Sequence, residues 1–275
     1  MRILFITSTR VGDAILSTGL LAKLIAEHPD SRITVACGPA AEPLFEGVPN
    51  LERIIVLDKM MYSLHWVGMW GATVGTFWDV LVDLRNTPMT YLVAASRRYR
   101  LTRSKDVGHR ITLLASVMGI AGEPPSPKVW LTPESIKAAE TLIPEGAPVL
   151  AIGPTANWSA KMWGAGSFVE LIKRLTGPEG ILPGARVAIF GRDDERPMAL
   201  RVIDSIPEAR RIDLVGHLDL LSAGACIKRA DFYVGNDSGL MHLAAAMDTP
   251  TLGLFGPSLE ELYAPWGPLC AVARA

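Results

Sequence analysis

Cysteine is almost missing from this chain: Cys37, Cys226 and Cys270 are the three in 275 residues, and no two stand in CxxC spacing. That excludes a zinc ribbon or a disulfide framework and fits a reducing, cytoplasmic setting. Net charge is nearly absent too, at a formal −1, so nothing draws the whole molecule to nucleic acid and an anionic partner must be met by a local patch. No D-x-D triplet occurs, which removes the usual placement of carboxylates for a divalent metal. The GxGxxG spacing of a dinucleotide turn is lacking as well. The apolar run at residues 1 to 7 is too short for a signal peptide and reads as a first buried strand.

A further absence is local. Residues 60 to 78 contain no Asp, Glu, Lys or Arg, over a length that nearly spans a bilayer. His65, Gly68, Gly71, Gly75 and three tryptophans, Trp66, Trp70 and Trp78, make it a poor hydrocarbon span, although tryptophan suits an interface. A buried or partly covered insert is the expectation.

At 49 % hydrophobic content the chain can bury two modest cores. Apolar runs at 3–7, 33–37, 54–57 and 80–84 read as strands. A helix over 14–27 buries Leu16, Leu20, Leu21 and Leu24. Residues 97–102 fit another strand and 111–119 another helix. Proline clusters at 124–127 and 144–148 mark a linker, which divides the chain into domains 1–145 and 146–275. The second half restarts the pattern with strands at 149–153 and 187–190, a helix from about Ser167, and a helix after Gly191. The alternation predicts an α/β fold of two Rossmann-like domains, their parallel sheets facing across a cleft. Such sheets bind ligands beyond the carboxyl ends of their strands.

The richest segment is 230–255. A short strand at 230–234 runs into the polar turn Gly235-Asn236-Asp237-Ser238-Gly239. Leu240, Leu243, Ala244 and Met247 then keep helical spacing. A helix starting there, capped by Asp237 or Ser238, offers unpaired amides to a phosphate; Gly239 permits close approach and His242 lies one turn further on. An ordinary capped helix explains the same residues. The loop 153–163 is dense in hydrogen-bonding groups, with Thr155, Asn157 and Ser159, and it carries Lys161 between Trp158 and Trp163. A lone cation there can neutralise a departing diphosphate. Glu195, in Gly191-Arg192-Asp193-Asp194-Glu195, follows a strand at the position that often holds ribose hydroxyls. Asp13, at the mouth of the expected cleft, suits a proton acceptor for an attacking hydroxyl, or merely a cap for the first helix. The basic run Arg97-Arg98-Tyr99-Arg100-Leu101-Thr102-Arg103-Ser104-Lys105, with His109-Arg110 after it, suits an anionic acceptor, an anionic membrane surface, or a solvated face.

Taken in order, Arg2-Ile3-Leu4 through Gly12-Asp13-Ala14-Ile15-Leu16, Lys161-Met162-Trp163, Gly191 to Glu195, Gly235 to Gly239 with His242, and Gly253-Leu254-Phe255-Gly256-Pro257 resemble glycosyltransferase family 9, the lipopolysaccharide heptosyltransferases. The resemblance implies a GT-B arrangement, with the acceptor on the N-terminal half and a nucleotide-diphosphate sugar, typically ADP-heptose, on the C-terminal half. By it Asp13 is the general base, Lys161 holds the diphosphate, Glu195 the ribose or adenine side, and Asp237, Ser238, Gly239 and His242 the sugar diphosphate. It implies inversion in one displacement; the missing D-x-D triplet favours a metal-independent mechanism that relies on Lys161 and helix amides, with no cofactor beyond the donor substrate. The expected acceptor is a lipid-linked or cell-surface saccharide, met at the cytoplasmic face of the inner membrane. Family members continue past the segment matching Tyr263-Ala264-Pro265-Trp266-Gly267, so the C-terminal domain is expected to be shorter than theirs. The alternatives are a nucleotide-sugar epimerase or hydrolase, or a catalytically silent nucleotide-sugar-binding module.

Overall fold

The computed structural model describes residues 1–58, 61, 64–102 and 108–274. Met60, Tyr62 and Ser63 of the uncharged stretch, and Arg103, Ser104 and Lys105 of the basic run, lie outside the described residues. The chain forms two compact units, Met1–Trp130 and Leu131–Ala275.

The first unit runs β1 (Arg2–Ile6), α1 (Val11–Glu27), β2 (Arg32–Cys37), β3 (Leu51–Val56), α2 (His65–Thr73), β4 (Trp78–Asp83), β5 (Ala95–Arg100) and α3 (Arg110–Ser116). Its sheet has the order β3-β2-β1-β4-β5, and every pairing is parallel. The central strand β1 is buried on both faces, which is why Ile3, Leu4, Phe5 and Ile6 form an unbroken apolar run. Helix α1 buries Leu16, Leu20, Leu21 and Leu24 as the spacing predicts. On the α2 side of the sheet, Met69 and Trp78 pack with Leu4, Ile6, Leu81 and Val93.

The second unit runs α4 (Pro133–Leu142), β6 (Val149–Gly153), α5 (Ala165–Thr176), β7 (Arg186–Ile189), α6 (Arg196–Asp204), β8 (Arg211–Asp213), α7 (Leu220–Lys228), β9 (Phe232–Asn236), α8 (Gly239–Ala246), β10 (Thr251–Phe255), α9 (Glu260–Tyr263) and β11 (Cys270–Arg274). The sheet order is β11-β10-β9-β6-β7-β8, again parallel at every pair. Phe168 and Ile172 of α5 and Val202 and Ile203 of α6 cover Leu150, Ile152, Val187 and Ile189, each worth about 1.5–3 kcal/mol for leaving water. Helix α4 packs on α7, and Arg229 Nε donates to Ile143 O at 2.6 Å, so residues 131–145, which the proline-based boundary puts in domain 1–145, lie in the second unit.

In both sheets the strand order reverses once while every strand stays parallel. In the first, β1 and β4 are neighbours with their onward connections running opposite ways; in the second, β6 and β9 are. At such a switch point the loops leaving the two strands diverge and open a crevice beyond their carboxyl ends. Thr155, Asn157 and Lys161 follow β6, Asp237 and Ser238 follow β9, and Asp13 stands in the helix that follows β1, whereas Glu195 follows β7.

Candidate active site

In the second unit the switch point lies between the loop after β6, residues 154–163, and the turn after β9, residues 237–238. Asn236 holds the first to the second. Its Nδ2 donates to Pro154 O and its Oδ1 accepts from Trp163 N, both at 2.9 Å, so one buried amide pins each end of the loop. Inside that loop a short 3-10 turn, Ser159–Lys161, turns Lys161 inward, and its Nζ donates to Asp237 Oδ2 at 2.5 Å. The Asp237 side chain is 5 % exposed, the Lys161 side chain 23 %. The carboxylate is therefore spent on Lys161 and does not cap the helix.

Ser238 occupies the N-cap position of α8, with extended backbone, and its hydroxyl makes no cap bond. The amides that open α8 at Gly239 thus lack intrahelical carbonyls and keep the positive end of the dipole. An ammonium group and a helix N-terminus share one turn here, a pairing suited to a diphosphate. His242 is buried in α8 one turn on.

Tyr233 underlies this turn. Its ring is fully buried, burial pushes its phenol up from the usual tyrosine range, and the Ser238 hydroxyl beside it pulls the other way. The ring lies along the paired residues Gly153 and Gly235: a Cβ at Gly235 would come within 2.5 Å of the phenol oxygen, and one at Gly153 would collide with it. Nearby, Thr155 Oγ1 donates to Glu195 Oε2 at 3.0 Å, and Arg192 N donates to the same oxygen at 2.9 Å. Glu195 and Thr155 are buried; Asn157 is exposed in the loop.

The first unit has its own site at the β1/β4 switch point. A cavity of about 400 Å³ is lined by Thr9, Arg10 and Asp13 from the β1 side and by Arg85 and Arg110. Helix α1 starts at Val11 with Arg10 at its cap position, so Asp13 sits inside the first turn and is not the cap. Asp13 Oδ1 is buried and makes no hydrogen bond among the described residues; Arg110 Nε faces it at 3.7 Å.

Arg85 reaches the cavity because of a residue the sequence reading passed over. Asp83, at the end of β4, is wholly buried and accepts from Arg85 N and Thr87 N at 2.9 Å and from Thr90 Oγ1 at 2.8 Å. That set folds the chain back after β4, with Asn86 in the left-handed region at φ 52°, which asparagine tolerates. Arg85 then points to Thr9 Oγ1, 3.3 Å away. Burial raises the Asp83 carboxyl above the usual aspartate range, against the opposing pull of its hydrogen bonds and of Arg100. Arg100, from the basic run, is thereby committed: it lies 3.8 Å from Asp83, bonds to Thr90 and Asn86, and covers Tyr91. The signal available in the sequence was a carboxylate closing an apolar strand, Val80-Leu81-Val82-Asp83.

Among the described residues no three His, Cys, Asp or Glu side chains gather as a metal set, and no helix is long and apolar enough to cross a membrane.

Two solved structures share this fold over the chain. One is the glycosyl transferase family 9 protein from Veillonella parvula, with a TM-score of 0.80 and 20 % identity over 100 % of this chain and 86 % of that one. The other is the E. coli ADP-heptose lps heptosyltransferase II, with a TM-score of 0.78 and 21 % identity over 99 % and 90 %. The architecture, with two parallel-sheet α/β domains, is that of a GT-B glycosyltransferase. The chain is also 26 % identical to lipooligosaccharide heptosyltransferase 2 of Haemophilus influenzae over its full length and 88 % of that protein. Residues 80–275 match the model of glycosyltransferase family 9 (heptosyltransferase), and the chain belongs to that family.

Proposed function

We propose that the chain moves a heptose from a nucleotide-diphosphate donor, ADP-heptose, to a hydroxyl of a lipid-linked lipopolysaccharide-core saccharide, with inversion and without a metal. The family supports the reaction, and relatives over the whole length are heptosyltransferases of lipopolysaccharide or lipooligosaccharide. The observation that carries the mechanism is the pair of switch-point sites: one presents a buried carboxylate oxygen with no hydrogen bond among the described residues, the other an ammonium beside a helix N-terminus.

In this reading Asp13 takes the proton of the acceptor hydroxyl as its oxygen bonds to the anomeric carbon. The bond from that carbon to the diphosphate breaks, and its electron pair leaves with the nucleotide. Lys161 and the α8 amides stabilise the charge that collects there, the work a divalent cation does in other transferases. Thr155 and Glu195 act as one unit on the ribose side, with Asn157 and His242 completing the donor contacts. Arg10, Arg85 and Arg110 line the acceptor side and suit a saccharide that carries phosphate or carboxylate groups. The substrate is anchored in lipid, so the enzyme works at the cytoplasmic face of the inner membrane.

The test is transfer and calorimetry with ADP-heptose, a lipid-linked core acceptor and the variant Asp13→Asn. Turnover is expected to fall by about 10²–10⁴ while donor affinity is retained. Wild-type protein that neither binds the nucleotide nor transfers sugar overturns the proposal; equal loss of binding and turnover in Asp13→Asn assigns the residue a structural role instead.

A further inference from the structure

The uncharged stretch takes no part in either site, yet its surface is unusual. Helix α2 lays Met69, Trp66 and Trp70 on the sheet beside Leu4, Ile6 and Leu81. The outward side is apolar as well: Leu64 is 50 % exposed, Val67 49 % and Val74 38 %. Among the described residues a Cβ on Gly68, Gly71 or Gly75 would meet nothing within 4 Å. The surface continues onto the short helical turn Pro88–Leu92, which Trp70 Nε1 ties down by donating to Leu92 O at 3.3 Å; Tyr91 and Leu92 are both largely exposed. A helix that faces water ordinarily carries charge there, and this one has none.

Its rim is cationic. Arg53 donates to Ala72 O at the end of α2, and Arg98 to Val93 O next to Leu92. Both bonds go to carbonyls, and among the described residues neither arginine has a carboxylate within salt-bridge distance. A second copy docked about a two-fold axis would bring these arginines toward their own equivalents, a repulsive arrangement. Anionic lipid headgroups supply the complement, with the acyl boundary to receive Leu64, Val67 and Leu92. The patch also adjoins the acceptor side, since the Arg85 guanidinium that lines the Asp13 cavity lies 5.8 Å from the centre of the Trp66 ring on α2.

We infer that α2, with Tyr91 and Leu92, is the face by which the chain lies on an anionic membrane, its apolar side chains at the headgroup boundary and Arg53 and Arg98 against lipid phosphates. This rests on the proposed reading of a lipid-borne acceptor and adds where the membrane meets the protein.

Co-sedimentation of the full chain with phosphatidylglycerol-containing vesicles, against phosphatidylcholine alone and at rising salt, tests it without any sugar donor. Anionic vesicles are expected to bind at least about tenfold more tightly, with affinity falling as salt rises. The double substitution Leu64→Glu with Val67→Glu is expected to lose about tenfold or more, while turnover on a water-soluble saccharide acceptor is unchanged. Leu92→Glu, on a different element, gives the same loss if the first variant folds poorly. Absence of vesicle binding, or equal binding by the variants, overturns the inference. Wild-type dimers in sedimentation equilibrium that L64E/V67E converts to monomers overturn it too, in favour of a second copy. Vesicle binding by a protein that transfers no sugar leaves this surface standing and removes the proposed reaction instead.

Discussion

Lys161 Nζ donates to Asp237 Oδ2 across 2.5 Å, joining residues 76 positions apart. The bond closes the β6/β9 switch point of the second unit. It also keeps the ammonium beside the open end of α8 before any ligand arrives, so the cation costs little reorganisation when a diphosphate binds.

Removing Lys161 therefore has two separable effects. Lys161→Met leaves the buried Asp237 carboxylate unpaired, and stability in urea is expected to drop by about 1–3 kcal/mol. Turnover is expected to fall by about 10²–10³. Adding Asp237→Asn restores most of the stability and none of the turnover. Recovery of both in the double variant would show the pair to be structural.

Asn236 is expected to matter as much as the residues it serves. Asn236→Asp replaces the donor to Pro154 O by a second acceptor in a buried position, which detaches one end of the loop carrying Lys161. A loss of about 1–3 kcal/mol in stability follows. Limited proteolysis should then cut within residues 154–163 in the variant faster than in the wild type. Equal cleavage would mean that the loop is held by other contacts.

These pairs also show where the sequence stops being readable. Alternating apolar runs mark most strands of both parallel sheets, though not β8 or β11, and polar residues after strands mark the turns in or beside which Asp13, Lys161, Glu195 and Asp237 stand. Local patterns carry no strand order, and strand order decides which loops meet. The partnership of Lys161 with Asp237, of Asn236 with Pro154 and Trp163, and of Arg85 with Thr9 all depend on it. Position alone favours Asp13 as a cap for the first helix, but that helix begins at Val11 with Arg10 at its cap position. The boundary drawn at residue 145 leaves α4 with the first half, because a proline cluster flanks the helix on each side and local sequence does not say which one is the linker; its packing on α7 puts it with the second.

Asp83 sets a pH dependence. Its folded-state carboxyl is raised by burial, so the native protein favours the protonated form more than the unfolded chain does. The contribution to stability is fully present below the ordinary aspartate range and is lost as pH rises through the raised value. Between the two, wild-type stability is expected to decline with pH relative to Asp83→Asn, measured by urea midpoints across the acid range. Parallel curves would show that the hydrogen bonds from Arg85, Thr87 and Thr90 cancel the burial cost.

The thiols are expected to be inert. Burial pushes Cys37 and Cys226 up to about 12 and Cys270 up to about 11. At pH 8 the thiolate fraction is then on the order of 10⁻⁴ for the first two and 10⁻³ for the third. A chromogenic disulfide reagent should label none of them within minutes in native protein and all three in urea. Fast labelling of one in the native state would place that residue in water.

Tyr233 lying across Gly153 and Gly235 has a consequence for variation at this site. Two missing methyl groups leave room for the phenol, whose oxygen lies beside the Ser238 hydroxyl of the next turn. Alanine at either glycine would lift that turn out of register with Lys161 while every side chain that touches a ligand stayed unaltered. A catalogue of contact residues would miss these two positions; a screen for lost donor affinity would find them.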